Sequence, residues 1–322
     1  MTKVKSLVLA IIAVFAVSGV SAQTAADVLK KYNDAVAFIN QAKYTEAINN
    51  FEAVVKEGAA LTEAQAVQAV TEARKKLPVI YVAKGKQLAS QKKFAEAIPV
   101  FQQAQKRAQL NSDMRYVAEA KKYLTACYKY QGNDLLNAGK GMEAIEMYKK
   151  GAAIDKNNTE LRILIARSYG SMQNYSEAGT ILKEVIALEN RHDRYRQAAQ
   201  AARGMFYKYM QIAAGKAVEA NKYADAIKYL DEILSVDAKE PQANLMKVQV
   251  ANNMKKYNDV IKFGPTAAAN LTDAAQKSSV YFFMGSAYGE MKNFEKAIEC
   301  FKKVTAGEYA TLAKDQITEL SN

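Results

Sequence analysis

A short pattern of apolar and polar positions recurs along the chain. An aromatic residue comes first, two polar or small residues follow, and then a small residue is usually followed by isoleucine. A large apolar residue commonly stands four positions after the small one, as Phe301 does after Ala297. Because positions i and i+4 share one helix face, the pattern predicts helices with one closely approached side. Seven copies are centred on Ala47, Ala97, Ala144, Ala178, Ala226, Val260 and Ala297.

The repeated pattern resembles the opening of the second helix of a tetratricopeptide repeat. A helix-forming segment precedes each copy, and Gly85, Gly132 and Gly285 fall at its tight-contact position. The resemblance implies an all-α fold, a right-handed α-solenoid of about seven irregular helical hairpins over residues 23–307. A capping helix over residues 308–322, with Leu312, Ile317 and Leu320 as its apolar positions, is expected to close the stack.

The spacing of the copies departs from that family. Successive centres are 50, 47, 34, 48, 34 and 37 residues apart, whereas the family period is about 34. Residues 60–77, 110–124 and 191–206 hold the extra length and are predicted to be helical. Thr62 with Gln65 predicts a capped start for the first of them, and Pro78 is expected to end it.

Two prolines fall inside predicted second helices. Pro99 and Pro265 predict kinks there because proline lacks the N–H that an interior helix position donates. Gly264 stands where the large apolar residue of the sixth copy is expected, so the pattern is poorest in that copy.

The N-terminal residues 1–22 predict a cleaved signal peptide. Lys3 and Lys5 precede an apolar run, and Val20-Ser21-Ala22 gives a small-x-small cleavage pattern before Gln23. The alternative, a membrane anchor, is disfavoured because the apolar run falls short of the ~20 residues that a spanning helix needs. We expect an exported protein, periplasmic in a bacterial envelope or secreted, with no stable membrane insertion.

Composition leaves little material for catalysis. Alanine, lysine, glutamate, glutamine and leucine, all strong helix formers, dominate a chain with one histidine and two cysteines. His192 lies in a charged turn and is expected to be solvated or to cap a helix, while Cys127 and Cys300 are expected to be buried free thiols. No phosphate-binding loop, nucleophile elbow or metal-ligand pair occurs, so we expect no enzyme activity, no cofactor and no metal.

The family resemblance implies that first helices line a groove for peptides or partner helices. Lys129 and Asn133, four positions apart, resemble half of the carboxylate clamp that some family members use, although a solvated polar face is the simpler and preferred interpretation. Tyr32 and Phe282 are expected to be apolar groove positions. The polar groove candidates are Lys86, Lys129, Asn133, Arg167, Lys208, Gln211, Gln249 and Asn252.

These observations favour a non-catalytic, exported scaffold or adaptor for other proteins or peptides. The net charge of +12 supports an alternative, a binding module for an anionic envelope polymer or glycan. Nucleic acid is not expected as a partner because acidic residues are interleaved with the basic ones and the chain is expected to be exported. An enzyme with an unrecognised site would need a cluster of carboxylates that the sequence does not assemble.

Overall fold

The computed structural model describes residues 20–321, and these residues form α-helices with short connections and no β-strand. Three 3₁₀ turns, Gly58–Ala60, Leu188–Asn190 and Asp193–Tyr195, lie between helices. The helices are α1 (Val20–Asn40), α2 (Tyr44–Glu57), α3 (Ala64–Ser90), α4 (Phe94–Leu110), α5 (Met114–Asn137), α6 (Gly141–Ile154), α7 (Thr159–Ser171), α8 (Tyr175–Ala187), α9 (Arg196–Glu219), α10 (Tyr223–Val236), α11 (Pro241–Asn253), α12 (Tyr257–Asn270), α13 (Ala274–Glu290), α14 (Phe294–Phe301) and α15 (Tyr309–Leu320).

The helices form two compact units that meet within α7, one ending at Ser168 and the other beginning at Tyr169. In the N-terminal unit each helix from α1 to α5 packs on the next, and α3 also packs on α1 and α5. In the C-terminal unit each helix from α8 to α15 packs on the next in the same way. This arrangement confirms the predicted all-α fold of repeated hairpins, in which odd-numbered helices from α1 to α13 are first helices and even-numbered helices from α2 to α14 are second helices.

The small residue at the centre of each copy is fully buried in its second helix. All seven centres, Val260 included, have 0% exposure. The glycines of three first helices face the aromatic residue four positions after the centre. A Cβ at Gly85, Gly132 or Gly285 would lie 2.5–2.7 Å from a ring atom of Phe101, Tyr148 or Phe301, respectively. Glycine is therefore required in these first helices because the ring occupies the volume of a side chain.

The sixth hairpin is a true member of the series despite its missing large residue. Val260 of α12 is buried with Val248 of α11 in one apolar cluster. Gly264 is also buried, and a Cβ there would lie 2.5 Å from Sδ of Met284 in α13. The space that an aromatic ring fills in other hairpins is thus filled from the following helix.

The turn inside each hairpin has one repeated geometry. Its middle residue adopts a left-handed backbone with φ between 53° and 76°, and only one of these seven residues, Gly139, is a glycine. In each turn two backbone N–H groups return to carbonyls of the preceding helix, as Lys93 does to Leu88 at 3.0 Å. These bonds satisfy carbonyls that the helix end leaves without partners. The seven left-handed residues are Ala42, Lys92, Gly139, Gln173, Asn221, Lys255 and Lys292.

The extra segments are largely helical, as predicted, and they lengthen first helices, but the boundaries of α3 were predicted wrongly. α3 begins at Ala64 after Glu63, and no side-chain cap bond from Thr62 forms there. Pro78 lies inside the continuous helix. Proline frees the carbonyl four residues earlier, that of Arg74, and Nδ2 of Asn111 in the following turn donates to this oxygen. A side chain distant in sequence thus supplies the bond to this carbonyl that Pro78 cannot make.

The other two extra segments lie mostly within long first helices, and the other two prolines lie inside second helices. α5 and α9 are each 24 residues long and include the extra segments, so Gly204 and Gly215 do not interrupt α9. α4 and α12 continue past Pro99 and Pro265. The predicted kinks at these two prolines stay predictions.

The last helix packs on α13 and α14, though not through all of the predicted residues. Ile317 and Leu320 pack against the final cluster, in which Ala313 is the buried residue of α15. Leu312 is 51% exposed and was wrongly predicted to face the core. At the other end, most of the predicted signal peptide lies outside the described residues.

Candidate functional site

Charge is sorted between the two kinds of helix rather than evenly interleaved. The three long first helices, α3, α5 and α9, carry thirteen basic and four acidic residues. The second helices α2, α8 and α10 carry three basic and eight acidic residues. The net charge of the sequence does not show this division because it sums the charges of first and second helices. The outward side chains of α3 and α5 form a basic surface, here called the first-helix surface of the N-terminal unit.

Two predicted groove lysines on this surface bind acids of the following first helix. Nζ of Lys86 in α3 pairs with Glu119 of α5 and lies 4.6 Å from the centre of the Tyr123 ring. Nζ of Lys129 in α5 lies 3.2 Å from both carboxylate oxygens of Glu160 in α7. The lysines therefore link successive first helices.

The pair at Lys129 is open to exchange. The Glu160 side chain is 63% exposed, whereas that of Lys129 is 23% exposed. An exposed ion pair contributes only about 0–1 kcal/mol, so a carboxylate from another molecule can replace Glu160 at small cost.

Asn133 and Arg167 both act on the Tyr148 hydroxyl, Asn133 by a hydrogen bond and Arg167 by its charge. The hydroxyl donates to Oδ1 of Asn133 at 2.7 Å, which leaves the amide NH₂ of Asn133 as a donor. Burial raises the pKa of Tyr148, and the positive charge of exposed Arg167 opposes that rise. The proposed half-clamp therefore has both members engaged within the fold, Lys129 with Glu160 and Asn133 with Tyr148.

The remaining polar candidates lie in the C-terminal unit. Nε2 of Gln211 in α9 donates to Oε1 of Glu240, just before α11, at 3.4 Å, so this amide also links successive first helices. Lys208 is exposed, while Gln249 and Asn252 are half-buried on α11. Their role in binding stays a prediction.

Of the two predicted apolar groove residues, Tyr32 belongs to the core and Phe282 is half-buried against the last apolar cluster. Tyr32 is 2% exposed and meets the Phe51 ring edge-on at 5.6 Å between centroids. Phe282 stacks on Tyr309 of the last helix at 4.5 Å. Tyr32 was assigned to a groove wrongly, since neighbouring helices cover it, while the assignment of Phe282 stays a prediction.

A cavity of about 430 Å³ lies beside Lys129 between α5 and the connection from α6 to α7. Lys121, Thr125 and Lys129 follow one face of α5 along it, and Lys122 also lines it. Lys121 and Lys122 are exposed and were not among the predicted site residues. Lys121, Lys122 and Lys129 are spaced to lie on one helix face, and this spacing in the sequence could have identified them. It was missed because this part of α5 is additional to the ordinary repeat.

The two cysteines are buried, and the histidine caps a turn. Cys127 and Cys300 are buried free thiols, as predicted, and burial raises the pKa of Cys127 to about 11. Nδ1 of His192 accepts the backbone N–H of Arg194 at 3.1 Å and so caps a short turn, again as predicted. Within residues 20–321, no group of acidic, histidine or cysteine side chains is arranged to hold a metal ion.

Over the same part of the chain, every helix is too short or too polar to cross a membrane.

Comparison with known families identifies two regions. Residues 135–202 and residues 278–306 match family models described as tetratricopeptide repeats. A comparison with curated proteins finds none that matches the chain.

Solved structures with similar folds share little sequence with this chain. MamA is 18% identical, with 61% of this chain and 93% of that chain covered and a TM-score of 0.33. YrrB, described as a TPR protein with an unusual peptide-binding site, is 15% identical over 55% of this chain and 83% of its own, with a TM-score of 0.31. A tetratricopeptide repeat protein from Parabacteroides merdae is 14% identical over 93% and 100%, with a TM-score of 0.28. At these identities and scores the likeness says nothing about what this chain binds.

Proposed function

Because the chain contains tetratricopeptide repeats, we propose that it is a non-catalytic, exported scaffold that binds acidic segments of other proteins on its first helices. Proteins built from such repeats commonly bind proteins or peptides. Repeated helix pairs offer a long surface in which neighbouring first helices present side chains in a fixed order. The positive charge of the first-helix surface favours acidic partner segments.

The observation that carries the proposal is the basic first-helix surface beside the 430 Å³ cavity. Lys121 and Lys122 point their charges to solvent there, and Lys129 already holds the exposed carboxylate of Glu160. An acidic partner segment would replace Glu160 at Lys129 and add charge-assisted bonds to the two other lysines. In this arrangement the partner is held by ion pairs and hydrogen bonds alone.

Export is the second part of the proposal and rests on the sequence of residues 1–22. N-terminal sequencing of the protein from an envelope fraction of the native cells tests it directly. A chain beginning at Gln23 supports export with cleavage, and an intact N-terminus in the cytosolic fraction contradicts it.

An affinity pull-down from a native envelope fraction tests the binding surface. Two baits are compared, the wild-type protein and a variant that carries Lys121→Gln, Lys122→Gln and Lys129→Gln. The matched control is Lys106→Gln, Lys149→Gln and Lys150→Gln, which removes the same charge from exposed positions of second helices. We expect a discrete set of proteins that the control retains and the first-helix variant loses.

Two outcomes would contradict this assignment. Equal capture by both variants would move the binding surface away from α5. Salt-sensitive retention of polysaccharide or another anionic polymer, with no protein captured, would favour the polymer-binding alternative.

A further inference from the structure

A second cavity, of about 340 Å³, lies on a different side of the N-terminal unit, between α2, α3 and α4. This volume is at the lower end of the roughly 300–1,000 Å³ that small-ligand sites occupy. A cavity of this volume can hold the last residues of a peptide chain rather than a long segment. The lining residues are Val55, Arg74, Leu77, Arg107, Leu110 and Asn111.

Two guanidinium groups make the cavity electropositive. Nη2 of Arg107 pairs with Glu52, while its Nε is buried without a hydrogen-bond partner. A guanidinium has five N–H donors, so Arg107 keeps donors for another acceptor. The Arg74 side chain makes no hydrogen bond or ion pair with any residue in the described range. The site thus holds two positive charges against one negative charge, and a ligand carboxylate would complete the balance.

The rest of the cavity wall is apolar and partly open. Leu77 is fully buried, Val55 is half-buried, and Leu110 is 70% exposed at the end of α4. An exposed leucine above buried aliphatic side chains favours a ligand that brings its own apolar group. A simple inorganic anion would leave this wall uncovered.

Asn111 adds a polar group with a defined direction. Its Nδ2 donates to the Arg74 carbonyl that Pro78 leaves free, which fixes the orientation of the amide. Its Oδ1 is then available to accept one N–H bond. A peptide N–H provides that donor, and a fatty acid does not.

We propose that this cavity binds the C-terminal carboxylate of a partner peptide that ends in an apolar residue. The carboxylate lies between Arg74 and Arg107, the terminal side chain packs on Leu77 and Leu110, and the terminal N–H donates to Asn111. The inference rests on the proposed function in one respect, that partners are proteins, and it adds a site separate from Lys121, Lys122 and Lys129.

Methyl NMR of the whole purified protein tests this site. The probe is acetyl-Ala-Leu with a free carboxylate, titrated to millimolar concentration into protein labelled at leucine and valine methyl groups. We expect shifts at Val55, Leu77 and Leu110, and none with the C-terminal amide of the same dipeptide. Arg74→Gln, which removes no bond within the described fold, should weaken binding about fivefold or more. Lys106→Gln, one residue before Arg107, should leave the affinity unchanged.

Three results would overturn the inference: equal shifts with the amide, unchanged affinity in Arg74→Gln, or octanoate binding at least as tightly as the dipeptide. Failure here is distinct from failure of the proposed function. If the dipeptide does not bind but pull-down partners still depend on Lys121, Lys122 and Lys129, only this site is wrong.

Discussion

The second and sixth hairpins reach the same packing by opposite means. In the α3–α4 hairpin, glycine is on the first helix at Gly85 and the large residue is on the second at Phe101. In the α11–α12 hairpin, glycine is on the second helix at Gly264, and Met284 of the next helix fills the space. The comparison teaches that the repeat fixes the volume between helices rather than the residue at each position.

The largest expected effect is the loss of unfolding free energy when a buried side chain is truncated. The loss should be greater for the rigid ring of Phe101 than for the flexible thioether of Met284. Phe101→Ala should lower the free energy of unfolding by about 3–5 kcal/mol because Phe101 is fully buried and leaves a cavity. Met284→Ala, at 7% exposure, should cost about 2–3 kcal/mol. Urea unfolding measures both. Phe294→Ala, at 48% exposure, is the control and should cost less than about 1 kcal/mol.

Replacing Gly85 and Gly264 with alanine compares the second and sixth hairpins most directly. Gly85→Ala should cost about 1–3 kcal/mol because its Cβ would lie 2.6 Å from the Phe101 ring. Gly264→Ala should change the free energy of unfolding by less than about 1 kcal/mol, since Met284 can change rotamer and alanine favours a helix. Thermal melting compares them. Equal losses at the two sites would contradict the idea of an adaptable sixth hairpin.

A double-mutant cycle tests why α3 continues past Pro78. Asn111→Ala should cost about 1–2 kcal/mol because the Arg74 carbonyl loses its partner. In a Pro78→Ala background the same change should cost clearly less, since residue 78 regains an N–H for that carbonyl. Urea unfolding of the four proteins gives the interaction energy. An Asn111→Ala cost that is the same in both backgrounds would rule out the proposed compensation.

The pH dependence of stability should report a contact between the first and second hairpins. Tyr81 of α3 donates to Oε1 of Glu52 at 3.1 Å, and burial, with Glu52 nearby, raises the pKa of Tyr81 to about 12. The folded state therefore holds this proton more tightly than the unfolded state, whose pKa is near 10. The resulting stability is present below pH 10 and is lost as pH rises from 10 to 12.

Urea unfolding at about pH 9 and about pH 11 measures the effect. The wild-type protein should lose about 1 kcal/mol more than Tyr81→Phe over this interval, after allowance for partial exposure of the ring. Parallel losses in the two proteins would show that Tyr81 is not the responsible group.

The smallest effect should be a gain. A Cβ at Gly204 or Gly215 in α9 would meet no atom within 4 Å. Gly204→Ala and Gly215→Ala should each raise the free energy of unfolding by about 0.5–1 kcal/mol because alanine loses less entropy in a helix. Higher melting temperatures for both variants would confirm that only some of the chain's helical glycines are needed for packing.

The sequence was sufficient for features that depend on local period. The anchor alanines, the hairpin turns and the three facing glycines could all be predicted because their neighbours are within one hairpin. Even the doubtful sixth copy proved real, although Met284, which completes it, could not be foreseen from the pattern.

Features that depend on contacts between hairpins were missed. The carbonyl that Pro78 leaves free in α3 is bound by Asn111, 37 positions after Arg74. The burial of Tyr32 and the pairing of Lys129 with Glu160 likewise depend on which helix packs next. Lys121 and Lys122 were overlooked because they fall in residues that the ordinary repeat does not contain.

The central claim is that the basic surface of the first helix α5, and not that of the second helix α6, binds acidic segments of partner proteins. Site-specific photocrosslinking in the native cells tests it most directly, with a photoreactive amino acid at position 122 on α5 or at position 150 on α6, both exposed. We expect discrete crosslinked proteins from position 122 and none from position 150. The same crosslinked proteins from both positions, or from position 150 alone, would contradict the claim.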